Sequence, residues 1–214
     1  MLKWFLLTFV VEKGTSRNKP SDLSMERFLE FHNQNDPTKA LGLHLGDKSI
    51  ANGDYVPRSG AYELWSPACH RDSHISILTE AVSAPRISYA ANSPAARYIV
   101  VCLDFDAPFP RLPMLSPILH WIQSDFQISG SSNTLTTTLP FISNYVGPAP
   151  PSGSSPHRYV FFLYEQPTEF NYKDYAPPAG QEMGLWERVR WNLAAWERKA
   201  KVENPVAMGY FTSN

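Results

Sequence analysis

Two stretches of this sequence leave the fold little freedom. Tyr98–Leu103 (YIVVCL) and Tyr159–Tyr164 (YVFFLY) are apolar throughout and rich in β-branched and aromatic residues. Both are too short to be stable as helices. A half-wet strand alternates polar and apolar residues, so an unbroken apolar run of this length reads as a strand covered on both faces. A third run, Ile118–Phe126, carries Trp121 and Phe126 and is expected to pair with them. A chain that buries several strands on two sides must lay other elements over both faces.

The rest of the sequence supplies those layers. Gly53, Pro57, Gly60, Pro67 and Pro85 break the region before Pro94 into short apolar pieces such as Ile75–Leu78 and Ile87–Ala90, a pattern of strands joined by turns. Ser24–Asn33 places Met25, Phe28 and Leu29 at helical spacing, with Ser24 in position to cap the helix. Gln181–Val202 repeats Leu185, Val189, Leu193 and Trp196 on one face, with Arg188, Arg190, Glu197 and Lys199 between, which predicts an amphipathic helix packed on a sheet. Pro205 is expected to end it, and Val206–Phe211 to return as a strand. Pro148–Pro156 carries too many prolines to join a ladder and must be a loop. The fold class is therefore mainly β with a few peripheral helices.

The chain of 214 residues suits one domain, read as residues 41–214, preceded by an N-terminal extension over residues 1–40. Within that extension Leu2–Val11 is a hydrophobic run behind Lys3, too short to span a bilayer as a helix. It has the length of a signal-peptide core, yet Glu12-Lys13-Gly14 follows directly and no A-x-A-like cleavage site is in place. A buried element and a cytoplasmic location are the preferred reading, with secretion or an endomembrane location as the alternative.

Charge and cysteine content exclude several classes. A net charge of −1 gives no positive field to attract nucleic acid. Cys69 and Cys102 cannot build a disulfide framework, and Cys102 lies in an apolar run where a small buried thiol is ordinary. No C-x-x-C or H-E-x-x-H spacing suggests a metal, and no motif implies a cofactor.

Chemistry is concentrated at the ends of the buried strands. Asp104-Phe105-Asp106-Ala107-Pro108 follows the first apolar run, His120 lies within the Ile118–Phe126 run, and His157 precedes the last run after the proline-rich loop. Each alone reads as a turn cap or a satisfied core residue. Together they place a titratable group on or beside each of three core strands.

These motifs in this order resemble the phosphatidylethanolamine-binding protein family. D-x-D-A-P at Asp104–Pro108, L-H-W at Leu119–Trp121, Tyr145–Gly153 leading to His157-Arg158-Tyr159, and Asn204-Pro205-Val206-Ala207 carry the likeness, which runs from about Pro85 to Phe211. The resemblance implies an antiparallel β-fold of two packed sheets. It also implies a pocket for a phosphate or carboxylate group, surrounded by Asp104, Asp106, His120 and His157, with backbone N–H groups around Gly147 and the ring of Tyr159 beside it. Histidines held by carboxylates keep their protons more readily, and imidazolium with N–H donors binds an oxyanion.

The departures from the family pattern lie around the pocket. Phe105 stands where the family has proline, Ala149 where it has a second glycine, and Ser116-Pro117-Ile118 where Arg-Glu and an aromatic residue precede the pocket histidine. The resemblance implies a cis peptide at Ser116–Pro117, which proline makes inexpensive. The leading expectation is a binding protein for a small anionic ligand. Looser motifs of this kind resemble the fungal branch found in polyketide pathways that join carboxylate or anhydride monomers into maleidrides. An accessory or cyclase role, with His120, His157 and Asp106 as acid–base candidates for cyclisation or dimerisation, is therefore the alternative. Inhibition of a kinase or peptidase, as in some members, ranks third, because no partner interface is readable.

Overall fold

The computed structural model describes residues 20–57, 82–90, 93, 95–129 and 133–214. The hydrophobic Leu2–Val11 run and the Ile75–Leu78 piece lie outside these residues. The elements are α1 (Pro20–Gln34), β1 (Gly42–Leu45), β2 (Lys48–Ile50), β3 (Arg86–Ser88), β4 (Tyr98–Asp104) and β5 (Ile118–Ser129). They continue with β6 (Thr134–Thr136), β7 (His157–Glu165), α2 (Leu185–Arg188), α3 (Leu193–Ala200) and β8 (Ala207–Ser213).

All ladder pairings are antiparallel, in the order β2-β1-β3-β6-β5-β4-β7-β8. The sheet curls until its last strand meets the far edge. Leu41 N–H donates to Met208 O at 3.0 Å, and Val56 N–H to Thr212 O at 2.8 Å. The two packed sheets implied by the sequence are thus the halves of one nearly closed sheet. They share β5, which pairs with β4 through its first part and with β6 through Gln127–Ser129.

The apolar runs are buried on both faces, and their alternation shows how. Val100, Cys102, Tyr159, Phe161 and Leu163 point inside the curled sheet with Leu43, Trp121 and Phe211. Ile99, Val101, Leu103, Val160, Phe162 and Tyr164 point outward beneath Phe28 of α1 and Leu193 and Trp196 of α3. α1 therefore packs on the domain, and Phe28 belongs to its core.

Two helical expectations need correction. Ser24 does not cap α1: the helix begins at Pro20, and Ser24 is buried inside it. The Gln181–Val202 stripe is not one helix. α2 ends as Val189 turns extended and Arg190 adopts φ +54°, while Arg190 and Trp191 give their N–H groups to Leu115 O and Pro117 O. Tertiary hydrogen bonds have replaced helical ones. α3 then starts afresh, its Asn192 side chain accepting from Ala195 N–H, and stops at Lys201 in the left-handed region, before Pro205 is reached. The apolar stripe divides accordingly: Leu193 and Trp196 are buried and Leu185 is exposed, whereas Arg188 and Glu197, which the stripe places on the wet side, are buried.

Candidate functional site

β4 ends, and β5 and β7 begin, at the same end of the sheet. Asp104 closes β4 opposite Ile118 of β5 and Tyr159 of β7, which brings the candidate residues together. A cavity of about 220 Å³ opens there. Asp104, His120, Gly147, His157 and Tyr159 all line it, among mostly apolar neighbours that include Pro108, Leu115, Val146, Leu185 and the prolines of the loop.

A β-bulge aims His120 at this cavity. Cys102 pairs with Trp121 and Leu103 with Leu119, so His120 has no partner across the ladder. The extra residue reverses the alternation, and Leu119 and Trp121 enter opposite cores. The proline-rich loop returns beside it: Val146 N–H donates to His120 O at 2.9 Å, and His120 Nδ1 lies 2.7 Å from Val146 O. A carbonyl only accepts, so Nδ1 carries the hydrogen. Neutral His120 is then the Nδ1–H tautomer, and Nε2, which bonds to none of the described residues, holds a bare lone pair. Burial lowers the pKa of this ring, with Asp104 and the Val146 carbonyl pulling the other way.

His157 is held differently. Its Nδ1 lies 2.9 Å from Asp104 Oδ2, and its Nε2 lies 2.9 Å from Ser154 Oγ, while Asp104 Oδ1 accepts from Asp106 N–H at 2.8 Å. Both ring nitrogens are engaged, and the side chain is fully buried. His157 therefore lines the cavity without a nitrogen to spare. The idea that carboxylates hold both histidines is corrected: Asp104 holds His157, and a carbonyl holds His120.

Asp106 is also placed apart. Its Oδ2 accepts from Arg158 Nε at 2.8 Å and from Arg158 N–H at 2.8 Å, its Oδ1 accepts from Arg158 Nη2 at 2.6 Å, and it does not line the cavity. The hydrogen bond to Asp106 raises the Arg158 pKa, and the guanidinium stacks 5.4 Å over the Phe28 ring of α1. This pair fastens the helix to the sheet.

The donors expected from the loop are fewer than the family pattern implies. Pro148, Pro150 and Pro151 have no N–H, Val146 N–H serves His120 O, and the backbone of Ala149 hydrogen-bonds the Tyr159 hydroxyl. Gly147 N–H is what the cavity-lining part of the loop retains. Burial raises the Tyr159 pKa, so the phenol stays protonated and its ring meets His120 edge to face at 5.0 Å.

Arg188 is the residue that sequence reasoning missed. It is 3% exposed, and its hydrogens go to Met183 O, Leu119 O, His120 O, Asn144 O and Asn144 Oδ1. Every donor of the fork is used, so it contributes charge and rigidity to the cavity wall but no free hydrogen. Ser116–Pro117, at the mouth, is cis as expected, and so is Ala107–Pro108. Among the described residues, no group of three or more His, Cys, Asp or Glu is placed to hold a metal, and no helix is long and apolar enough to cross a membrane.

Comparison with known proteins agrees with this fold. The family model described as phosphatidylethanolamine-binding protein matches residues 47–205. "Phomoidride biosynthesis cluster protein N" of a fungal species (Fungal sp.) is 33% identical over 138 residues, covering 60% of this chain and 59% of that protein. The protein of the same name in Talaromyces stipitatus is 31% identical over 123 residues, covering 54% of this chain and 58% of its own length. "Protein MOTHER of FT and TFL1 homolog 2" of Oryza sativa subsp. japonica is 31% identical over 177 residues, covering 83% of this chain and 82% of that one. Among solved structures, carboxypeptidase Y inhibitor in complex with its cognate proteinase superposes with a TM-score of 0.59 at 21% identity, over 92% of this chain and 94% of that one. That likeness is one of fold.

Proposed function

The chain belongs to the phosphatidylethanolamine-binding protein family, and from that premise we propose that the cavity at the end of β4 binds a small anionic group, phosphate or carboxylate. The observation that carries this reading is the state of His120. One ring nitrogen is tied to Val146 O at 2.7 Å, and the other bonds to no described residue in a cavity it shares with Gly147 and Tyr159. Protonated at Nε2, the ring donates to an oxyanion in a buried site where water competes poorly. Asp104 and His157 keep the wall in place, and their polar atoms are hydrogen-bonded within the protein.

Calorimetric titration of the full chain with phosphate and with short carboxylates tests this. Binding that His120→Ala abolishes, with the thermal transition kept, is the expected result. Equal affinity in the variant would remove the reading.

The names of the two fungal relatives favour a second reading, although the matched stretches span only 59% and 58% of those proteins. In it, a carboxylate or anhydride monomer from a fungal polyketide pathway occupies the same cavity, and His120 Nε2 moves a proton during cyclisation or dimerisation. Accelerated loss of such a monomer in the presence of the protein, absent with His120→Ala, distinguishes it from binding alone. Inhibition of a peptidase has behind it the fold likeness and a sequence match to carboxypeptidase Y inhibitor that covers 33% of this chain.

A further inference from the structure

We propose that the ligand of this cavity is the carboxylate of a molecule bearing a hydrocarbon chain, with the head group beside His120 and the chain leaving over an apolar collar at the mouth. This rests on the anion-binding reading and narrows it.

The donor inventory selects the head group. Among the side chains of the lining, protonated His120 Nε2 and the Tyr159 hydroxyl have hydrogens to offer, and Gly147 adds a backbone N–H, because Arg188 and both nitrogens of His157 are committed. Three donors suit the two oxygens of a monocarboxylate. A phosphate dianion brings more acceptors and twice the charge that one protonated His120 offsets, and it would be desolvated in a mostly apolar cavity.

Size then sends the chain outward. At about 220 Å³ the cavity is smaller than the roughly 300–1,000 Å³ of pockets that enclose a drug-sized ligand. A carboxylate and a short chain fit inside, and further carbons must emerge.

What they meet is unusual for a protein surface. Phe109, Leu112, Met114, Val146, Leu185 and Trp186 are 41%, 56%, 54%, 38%, 60% and 81% exposed. Val146 and Leu185 line the cavity themselves, and Trp186 follows Leu185 in α2. The 109–114 loop runs between the lining residues Pro108 and Leu115, and it is tied to the segment after α2. Arg190 Nε donates to Met114 O at 2.9 Å, and Arg190 N–H donates to Leu115 O at 3.0 Å. Val146 and Leu185 stand at the opening itself, and the exposed apolar residues of the 109–114 loop and Trp186 adjoin lining residues in sequence. An apolar patch rimming a polar cavity marks a surface that something apolar covers, and the chain of the bound molecule is continuous with it.

The test is calorimetry on the full chain at pH 6 with butanoate, hexanoate and octanoate as monomers, with phosphate in parallel, using wild type and the double variant Leu112→Ser/Trp186→Ser. Neither substituted residue lines the cavity. Wild-type affinity is expected to rise two- to four-fold per methylene beyond butanoate, up to about the limit for full burial. The double variant is expected to match wild type on butanoate and to lose most of the rise. Affinity independent of chain length, or phosphate binding tighter than octanoate, overturns the proposal and leaves the anion site standing. Failure of every probe to bind overturns both. A double variant that loses binding to phosphatidylcholine vesicles while its octanoate series is unchanged makes the collar a membrane surface, which also overturns the proposal.

Discussion

His120 Nδ1 sits 2.7 Å from the carbonyl oxygen of Val146, on the loop that closes over the cavity. With the Val146 N–H bond to His120 O, this bond joins the bulged start of β5 to the segment that leads into the proline-rich loop. It fixes which nitrogen carries hydrogen, and it leaves Nε2 as the titrating atom. Because burial lowers the ring's pKa, the free protein holds His120 neutral to lower pH than an ordinary imidazole.

Two pH effects of opposite sign follow. Anion affinity is expected to rise as pH falls toward the folded-state value of His120, which burial sets below the ordinary imidazole value of about 6.5, and to level off beneath it. Stability of the ligand-free protein is expected to move the other way, since the unfolded chain takes the proton more readily. The contribution of a neutral buried His120 is complete above about 6.5 and is lost as pH falls through the folded-state value. Titrations and urea melts between about pH 5 and 8 read both; an affinity flat across that range would contradict the role given to Nε2.

Arg188→Met is expected to destabilise the fold by about 2–4 kcal/mol, because it takes hydrogen-bond donors from the carbonyls of Leu119, Asn144 and Met183, while His120 O keeps the Val146 N–H. Lysine should recover only part of this, having no planar fork to span β5 and the loop. Chemical denaturation of the two variants measures the difference. A methionine variant within about 0.5 kcal/mol of wild type would show that the fork is dispensable.

The two aspartates should separate. Asp106→Asn weakens the charge-assisted bonds to Arg158 and is expected to cost about 1–3 kcal/mol of stability, with anion affinity unchanged. Asp104→Asn disturbs the group that orients His157 inside the cavity and is expected to lower affinity as well. Measuring stability and affinity on both proteins decides the matter. Loss of affinity in the Asp106 variant at full stability would return that residue to the site.

Gly209→Ala probes the closure of the sheet. A methyl group there would lie 2.5 Å from the backbone oxygen of Leu41, where the segment before β1 meets β8. Backbone cannot yield as a flexible side chain does, so a loss of about 1–3 kcal/mol is expected, read as a fall in thermal midpoint. An unchanged midpoint would mean that the two edges separate easily.

Much of this architecture was legible because it depends on local pattern. The runs at Tyr98–Leu103 and Tyr159–Tyr164 have no polar position to expose, so they had to be strands with a layer on each side. The prolines of the 148–156 loop lack the N–H groups a ladder needs. The break within Gln181–Val202 was not legible. Its apolar spacing is helical, and only the carbonyls of Leu115 and Pro117, far away in sequence, draw Arg190 and Trp191 out of the helix.

The site divides along the same line. The resemblance of the chain's motifs to the family assigned Asp104, Asp106, His120, Gly147, His157 and Tyr159 to one pocket, and all but Asp106 line one cavity. Which of them has an atom to give a ligand was decided by tertiary structure. Asp106 turned to Arg158, Ser154 and Asp104 took both nitrogens of His157, and a bulge turned His120 into the cavity. Hydrogen-bonding capacity is finite, and its allocation depends on partners tens of residues away that only the folded chain brings within reach.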